Sequence, residues 1–460
     1  MKKVFLSVGY WLVIQVAFAQ TVSQKLQKAF QQFEKDSQLK YAISSLYVID
    51  AATGKTVFDK NAQVGLAPAS TQKIITSVSA FELLGKGYRY RTEFGILYGE
   101  NINSIYLRPS GDPTFGSWRW NSTNEATILL DVVNSFNPHI KTINSTVYVN
   151  QKGWDVQNIP DGWIWQDIAN YYGAGAGALN WRENQFDLLL KSGHKIGDGV
   201  EIVRTNPDLH SYQIQSRALS AKAGSGDNAY LYFPISGNEG ILKGTIPVNE
   251  NKFQISGAMP NPANQFIETF KDSLFGKNKS YNHLSSLFLT ENSLANNKII
   301  YTHYSPSLDS IIYWFNKKSI NLYGEALVKT IAYEKTGFGS TDTGVSIIKK
   351  FWKEKGLDEH ELNIVDGSGL SPLNRVTTHA QVEILKYAKT KDWFQYFYNS
   401  LPNYNGMKMK SGTISDVKGF CGYHKAQDGK EYIFSFLVNN YNGPASALVA
   451  KMYKVLDELK

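Results

Sequence analysis

The stretch "LAPASTQKIITSVSAFELLG", residues 66–85, ends a turn and begins a helix, with Ser70 at its mouth and Lys73 one turn later. Two readings fit it. Ser70 is an N-cap, whose hydroxyl accepts from an otherwise unpaired helix N–H. Alternatively, Ser70 is a nucleophile and Lys73 its base, because S-x-x-K opening a helix places hydroxyl and amine on one face. Ile74, Val78 and Phe81 continue an apolar stripe at helical spacing. The flanking chain has to decide.

Before this stretch, residues 23–40 read as an amphipathic helix, with Leu26, Phe30 and Phe33 recurring among Lys and Gln. "AISSLYVIDAATGKTVFDKN" follows as a hairpin of two apolar runs around Ala-Thr-Gly-Lys. After it, residues 86–295 change texture: short strand-like runs such as "STVYVN" are broken by Gly, Asn and Pro. This predicts a β-rich insertion of one or two subdomains, with a possible nested unit at about 187–258. Helical periodicity returns after residue 305, and "KMKSGTISDVKGFCGYHKAQDGKEYIFSFLVNN" predicts three strands before a last helix near 445–459. Residues 20–85 and 296–460 therefore form one discontinuous α/β (α+β) domain, an antiparallel sheet covered by helices on both faces. Lone Cys421 alternates inward on one of those strands and is expected to be a buried thiol.

The first 19 residues have the charged start, short apolar run and Ala-Phe-Ala end of a secretory signal. The run is about half the length a membrane-crossing helix needs. The expectation is export to the periplasm, cleavage near Gln20 and no membrane span. A net charge of +8 is scattered, without an arginine-rich run, which argues against a nucleic-acid partner.

Several chemistries drop out. The histidines at 139, 194, 210, 283, 303, 360, 379 and 424 form no H-x-x-x-H pair, and with a single cysteine no metal site is expected. "GAGAGA" at 173–178 lacks the third glycine of a dinucleotide fingerprint, and no G-x-S-x-G elbow exists. No cofactor is implied. Serine–lysine chemistry remains. S-x-x-K occurs five times, S-x-N five times and K-[ST]-G three times, so placement has to select among them. Only Ser70 opens a strongly apolar helix. Only Lys410-Ser411-Gly412-Thr413 opens a strand run, whereas Lys335-Thr336-Gly337 reads as a helix end with a glycine cap. Ser319-Ile320-Asn321 is the S-x-N between them that falls outside the β-rich insertion.

With those three motifs in that order, the chain resembles the D-alanyl-D-alanine carboxypeptidase/endopeptidases, soluble low-molecular-mass penicillin-binding proteins with a large insertion after the nucleophile helix. "GDPTF" (111–115), "DGWIWQD" (161–167), "GSGDNAY" (224–230), "LKGTIP" (242–247) and "VDGSGLSPLNRV" (365–376) look like that family's markers. The gap of 249 residues between Ser70 and Ser319 matches its inserted domains. The resemblance implies a serine DD-peptidase acting on peptidoglycan stem peptides, with β-lactams as covalent inhibitors. It casts Ser70 as the acylated nucleophile, and Lys73 as general base with a pKa lowered by burial and by Lys410. Ser319 relays the proton, Asn321 holds the substrate amide, and Lys410 and Ser411 bind the terminal carboxylate. The N–H groups of Ser70 and Thr413, beside Gly412, form the oxyanion hole. Asp167 holds the free amino end of the third stem residue.

The chain departs from the family at four places. Ser411 stands where Thr is usual, Ile320 where Asp is usual and Pro372 where many members have arginine, and the approach "SLPNYNGMKMKSG" is short. Asp366-Gly367-Ser368-Gly369 reads as a tight turn, Trp163 and Trp165 as packing, and Glu359 with Leu362-Asn363 as structural. Two rivals stay open: a serine β-lactamase on the same scaffold, and a catalytically silent cell-wall binding protein. Oligomeric state is left open.

Overall fold

A computed structural model describes residues 20–98, 103–209, 211–276, 285–289 and 297–460. The leader reading of residues 1–19, and His210 and His283, lie outside them.

The strand Glu431–Asn439 alternates between two cores. Ile433 and Leu437 point into one cluster, and Phe434, Phe436 and Val438 into another. A strand apolar on both faces has to be covered on both faces. It lies inside a six-stranded antiparallel sheet in the order Asn403–Tyr404, Met407–Ile414, Val417–Lys425, Glu431–Asn439, Ile43–Asp50, Thr56–Lys60. The terminal helices Val22–Glu34 and Ala445–Leu456 cover one side, where Phe30 and Phe33 meet Phe436 at ring separations of 5.7 and 5.2 Å. The N-terminal helix starts in a capping box between Thr21 and Gln24. Cys421 is buried on the opposite face.

That opposite face is covered by the helices Lys73–Leu84 and Thr378–Lys389, with Leu308–Lys318 and Asn321–Thr336 beyond them. Every residue from Lys73 to Phe81 is buried, so this helix runs through the core and is not a one-striped surface helix. Its polar positions are paired: Thr76 donates to the Gly367 carbonyl at 2.6 Å, and Trp352 donates to Ser79 at 2.9 Å. A helix buried all round cannot be recognised from its stripe alone, because its polar partners come from segments distant in sequence.

The region between these halves has its own five-stranded sheet, ordered Ser286–Leu289, Ile143–Asn150, Asn103–Arg108, Arg91–Leu97, Asn297–Tyr304. Its last strand pairs with Arg91–Leu97, so residues 297–304 go with the inserted sheet, and the expected boundary at 295/296 falls one strand early. The partner strand lies about two hundred positions upstream, and local periodicity cannot reveal such a pairing. Two helices, Glu125–Phe136 and Pro262–Phe275, also pack within this β-rich region. Residues 185–258 carry two small sheets. One contains Phe253–Ala258, Gln185–Lys191 and Glu201–Asn206; the other is built along Glu239–Pro247. Phe186, Leu188 and Leu231 from these sheets share one buried cluster with Phe94 and Phe266.

A buried polar knot ties this region to the helix after Ser319. Glu183 accepts from Arg119 Nε and Nη2 at 2.7 and 2.9 Å, from Ser117 Oγ at 2.6 Å and from the Tyr323 hydroxyl at 2.7 Å. Four donors on one buried carboxylate compensate its desolvation. Among the described residues no helix is long and apolar enough to cross a membrane.

Candidate active site

Ser70 sits in a single 3₁₀ turn, Ala69–Gln72, that runs directly into the helix Lys73–Leu84. It is not a cap: neither end-of-turn residue makes a side-chain capping bond. Its Oγ instead faces Lys73 Nζ at 3.0 Å. Ala69 has φ 46°, the left-handed region that costs a non-glycine residue about 1 kcal/mol. Packing imposes that turn from two sides. A Cβ on Gly369 would lie 2.0 Å from the Ala69 carbonyl oxygen, and one on Gly412 would lie 2.6 Å from the Pro68 oxygen and 2.8 Å from Ser70 N. Both glycines are therefore steric requirements of the nucleophile turn.

Lys73 is fully buried. Besides Ser70 it reaches Asn321 Oδ1 at 2.6 Å and the Ser368 carbonyl at 2.7 Å. Burial holds its amine well below the usual lysine range, and the nearby Lys410 cation pushes the same way. A neutral amine has two N–H groups and one lone pair. Here two true acceptors take the N–H groups, and the lone pair is left for the Ser70 hydroxyl proton. Beneath it, buried Glu325 accepts from Gly367 N at 3.0 Å, and burial pushes its carboxyl up to about 8.

Ser319 ends the helix Leu308–Lys318 in a left-handed conformation (φ 57°, ψ 42°), and Asn321 begins the next helix. Ile320 between them turns into the core. Ser319 Oγ accepts from Lys410 Nζ at 2.9 Å, and Lys410 also donates to the Ser411 carbonyl at 2.8 Å. Asn321 is held at both ends, since its Nδ2 donates to the Tyr172 carbonyl at 2.7 Å. Lys410 is buried on the strand Met407–Ile414, and burial brings its ammonium down to about 7. The short approach to it is a tight hairpin: Tyr404 pairs with Met407 around Asn405-Gly406, both at positive φ. Thr413 is exposed, and its hydroxyl accepts from Lys418 at 2.7 Å.

Asp167, on the one-turn helix Trp165–Ile168, joins Ser70, Ser319, Asn321, Thr413 and Pro372 around one cleft of about 600 Å³. Burial raises its carboxyl, and a hydrogen bond with the Tyr172 side chain opposes that shift. The cleft thus holds Ser70, Ser319, Asn321, Thr413 and Asp167, with Lys73 and Lys410 hydrogen-bonded to Ser70 and Ser319 and Gly412 packed against Ser70, while Ser411 is half-buried on the same strand.

Some neighbours could not be read from sequence. Asp366 is a buried hub whose two carboxyl oxygens accept five hydrogen bonds, from Gln72, Gly369, Asn374, Trp163 and Ser371. The stretch Asp366-Gly367-Ser368-Gly369 is a bend closed by the Asp366 side chain on Gly369 N–H, and it aims the Ser368 carbonyl at Lys73. Trp163 is the expected packing residue, with its N–H on Asp366. Trp165 is 61% exposed and meets Tyr232 edge-on at 5.1 Å. Glu359 is exposed and paired with Lys353. Lys418 and Tyr172 carried no signal, because a lysine or tyrosine at those spacings is ordinary. Among the described residues no three His, Cys, Asp or Glu gather as a metal site.

The chain is similar to known proteins. A D-alanyl-D-alanine carboxypeptidase of Actinomadura sp. (strain R39) is 26% identical over 454 residues, 90% of this chain and 81% of that protein. The D-alanyl-D-alanine carboxypeptidase DacB of Haemophilus influenzae is 22% identical over 413 residues, 84% of this chain and 83% of its own length. The crystal structure of penicillin binding protein 4 from Haemophilus influenzae superposes with a TM-score of 0.78 at 18% identity, covering 94% of this chain and 99% of that one, so the fold is shared. The D-Ala-D-Ala carboxypeptidase 3 (S13) family pattern matches residues 25–458. The chain belongs to the D-Ala-D-Ala carboxypeptidase 3 (S13) family and is a serine-type carboxypeptidase, a hydrolase.

Proposed function

We propose that Ser70 attacks the carbonyl of a D-Ala–D-Ala bond, or of a D-amino-acid cross-link, in peptidoglycan stem peptides. Lys73 Nζ takes the Ser70 proton as Oγ bonds to that carbonyl carbon. The oxyanion forms between the N–H groups of Ser70 and Thr413. Ser319, hydrogen-bonded to Lys410, passes its hydroxyl proton to the leaving amine as the C–N bond breaks and regains one from the Lys73 ammonium; water then attacks the acyl carbon, gives its proton through Lys73 to Ser70 Oγ and breaks the ester bond. Asn321 orients Lys73 and presents its remaining N–H to the substrate amide. Lys410 and Ser411 take the terminal carboxylate, and Asp167 takes the ammonium of the third stem residue. The catalytic unit is the pair of chain ends, the intervening region is its insertion, and the workplace is the periplasm. The observation that carries this reading is the triply coordinated, buried Lys73 amine 3.0 Å from Ser70 Oγ.

A β-lactam offers a strained amide carbonyl to the same kind of nucleophile, and a Haemophilus relative has been crystallised with one. Incubation with a penicillin should leave an intact-mass adduct on the wild type and none on Ser70→Ala. Absence of an adduct with rapid penicillin loss would identify a β-lactamase instead.

The two lysines also set a pH profile. Lys73 has to be neutral, so kcat/KM falls as pH drops through its lowered pKa. Lys410 has to be charged, so KM for a carboxylate-terminated peptide rises as pH climbs past about 7. A pH-independent KM between 6 and 9, roughly the range flanking that titration, would remove Lys410 from carboxylate binding.

Gly412→Ala should slow acylation by about 10²–10³, the typical cost of one oxyanion donor, because its Cβ displaces the strand from Ser70 N. An unchanged acylation rate with a fluorescent penicillin would refute that steric role.

A further inference from the structure

The cleft around Ser70 does not end at Asp167. It shares the walls Tyr171, Tyr172 and Tyr230 with a second hollow of about 390 Å³. That hollow shares Gln254 and Ser256 with a third, of about 780 Å³, which passes Trp118 and Asn124. The three form one track leading from the nucleophile across the inserted region.

Its floor is one face of an antiparallel sheet. Asp187 pairs with Ser256 and Leu189 with Gln254, while Phe186, Leu188 and Leu190 on the other face are buried in the core. Period-two alternation thus separates a core face from a polar face.

The cation that lines the two outer hollows is already paired. Arg182 is ion-paired with Glu125, Asp187 accepts from Ser256 Oγ at 2.7 Å, and Asp227 Oδ1 accepts from Ala229 N at 3.0 Å. What it offers a ligand is amides, hydroxyls and aromatic faces. Trp118 and Tyr171 are each 52% exposed, and Arg182 Nε is a buried donor without a hydrogen-bond partner. The carboxylates of a stem peptide would find no free cation in these two hollows. A neutral sugar chain brings flat C–H faces for the rings, and hydroxyl and acetamido groups for the amides.

Resting on the peptidoglycan reading of the Ser70 site, we infer that this track binds the N-acetylhexosamine glycan to which the stem peptide is attached. The insertion then serves to select peptides still carried on polymer.

The test compares two substrates and one binding probe. Trp118→Ala and Gln254→Ala alter surface positions. Each should raise KM on polymeric peptidoglycan about tenfold while hydrolysis of a free pentapeptide stays within about twofold. Peptide-stripped glycan strands should bind the Ser70→Ala protein and lose that binding when Trp118→Ala is added. Equal effects on both substrates, no effect on polymer, or binding of a free cross-linked peptide dimer in place of stripped glycan would each overturn the inference. If the wild type hydrolyses no pentapeptide, the catalytic reading fails. The glycan-binding arm then decides the track alone: retained, Trp118-dependent binding supports it and absent binding overturns it.

Discussion

Lys73→Met is expected to lower the rate of acylation by penicillin, and of D-Ala release, by at least about 10³, within the 10²–10⁴ that a positioned base contributes. Methionine has nearly the same length, so the core around Phe315 stays filled. The lost amine leaves Asn321 Oδ1 and the Ser368 carbonyl without their short donors, at roughly 1–3 kcal/mol each. The desolvation cost of burying an amine disappears at the same time, so the variant should fold, as a cooperative thermal melt would show. Lys73→Arg sharpens the test. A guanidinium keeps its charge at any working pH and has no lone pair for the Ser70 proton. If the arginine variant acylates at the wild-type rate, charge and not basicity is what Ser70 requires, and the base assignment falls.

Asp366→Ala should cost about 3–5 kcal/mol of stability, the range for removing one partner from a buried polar cluster. Five donors lose their acceptor at once, including the Trp163 indole and the backbone N–H groups of Gly369 and Ser371. Asp366 is fully buried, so bulk water does not reach those donors to replace it. A fall in the urea midpoint at unchanged slope would report this. Acylation should slow as well, because the turn that aims the Ser368 carbonyl at Lys73 is built on Asp366. A loss below about 1 kcal/mol, the net value of a single ordinary hydrogen bond, would show that the cluster does not act as a unit.

These two residues stand at opposite ends of what a sequence can say. Ser70 and Lys73 are three positions apart on one helix start, so helical geometry alone puts hydroxyl and amine together. Lys410-Ser411-Gly412 is separable from its decoys by the strand run that follows it, and that run with the helical stretches around it predicts a sheet covered on both faces. Signals of this kind are local, since they depend on backbone periods of 3.6 and 2.

Asp366 belongs to the other kind. Its sequence neighbours spell a turn, and only the arrival of Gln72 and Trp163, 294 and 203 positions away, makes it a buried hub. The same holds for Glu325 beneath Lys73, for Tyr172 holding Asn321, and for the strand Asn297–Tyr304 that joins the inserted sheet. The sequence by itself therefore determined the nucleophile helix, the sheet with its two covered faces and the order of the three motifs. The tertiary structure alone decided how Lys73 is desolvated and which acceptors occupy its protons. Burial and long-range hydrogen bonding arise when distant segments exclude water together, and no local period records that.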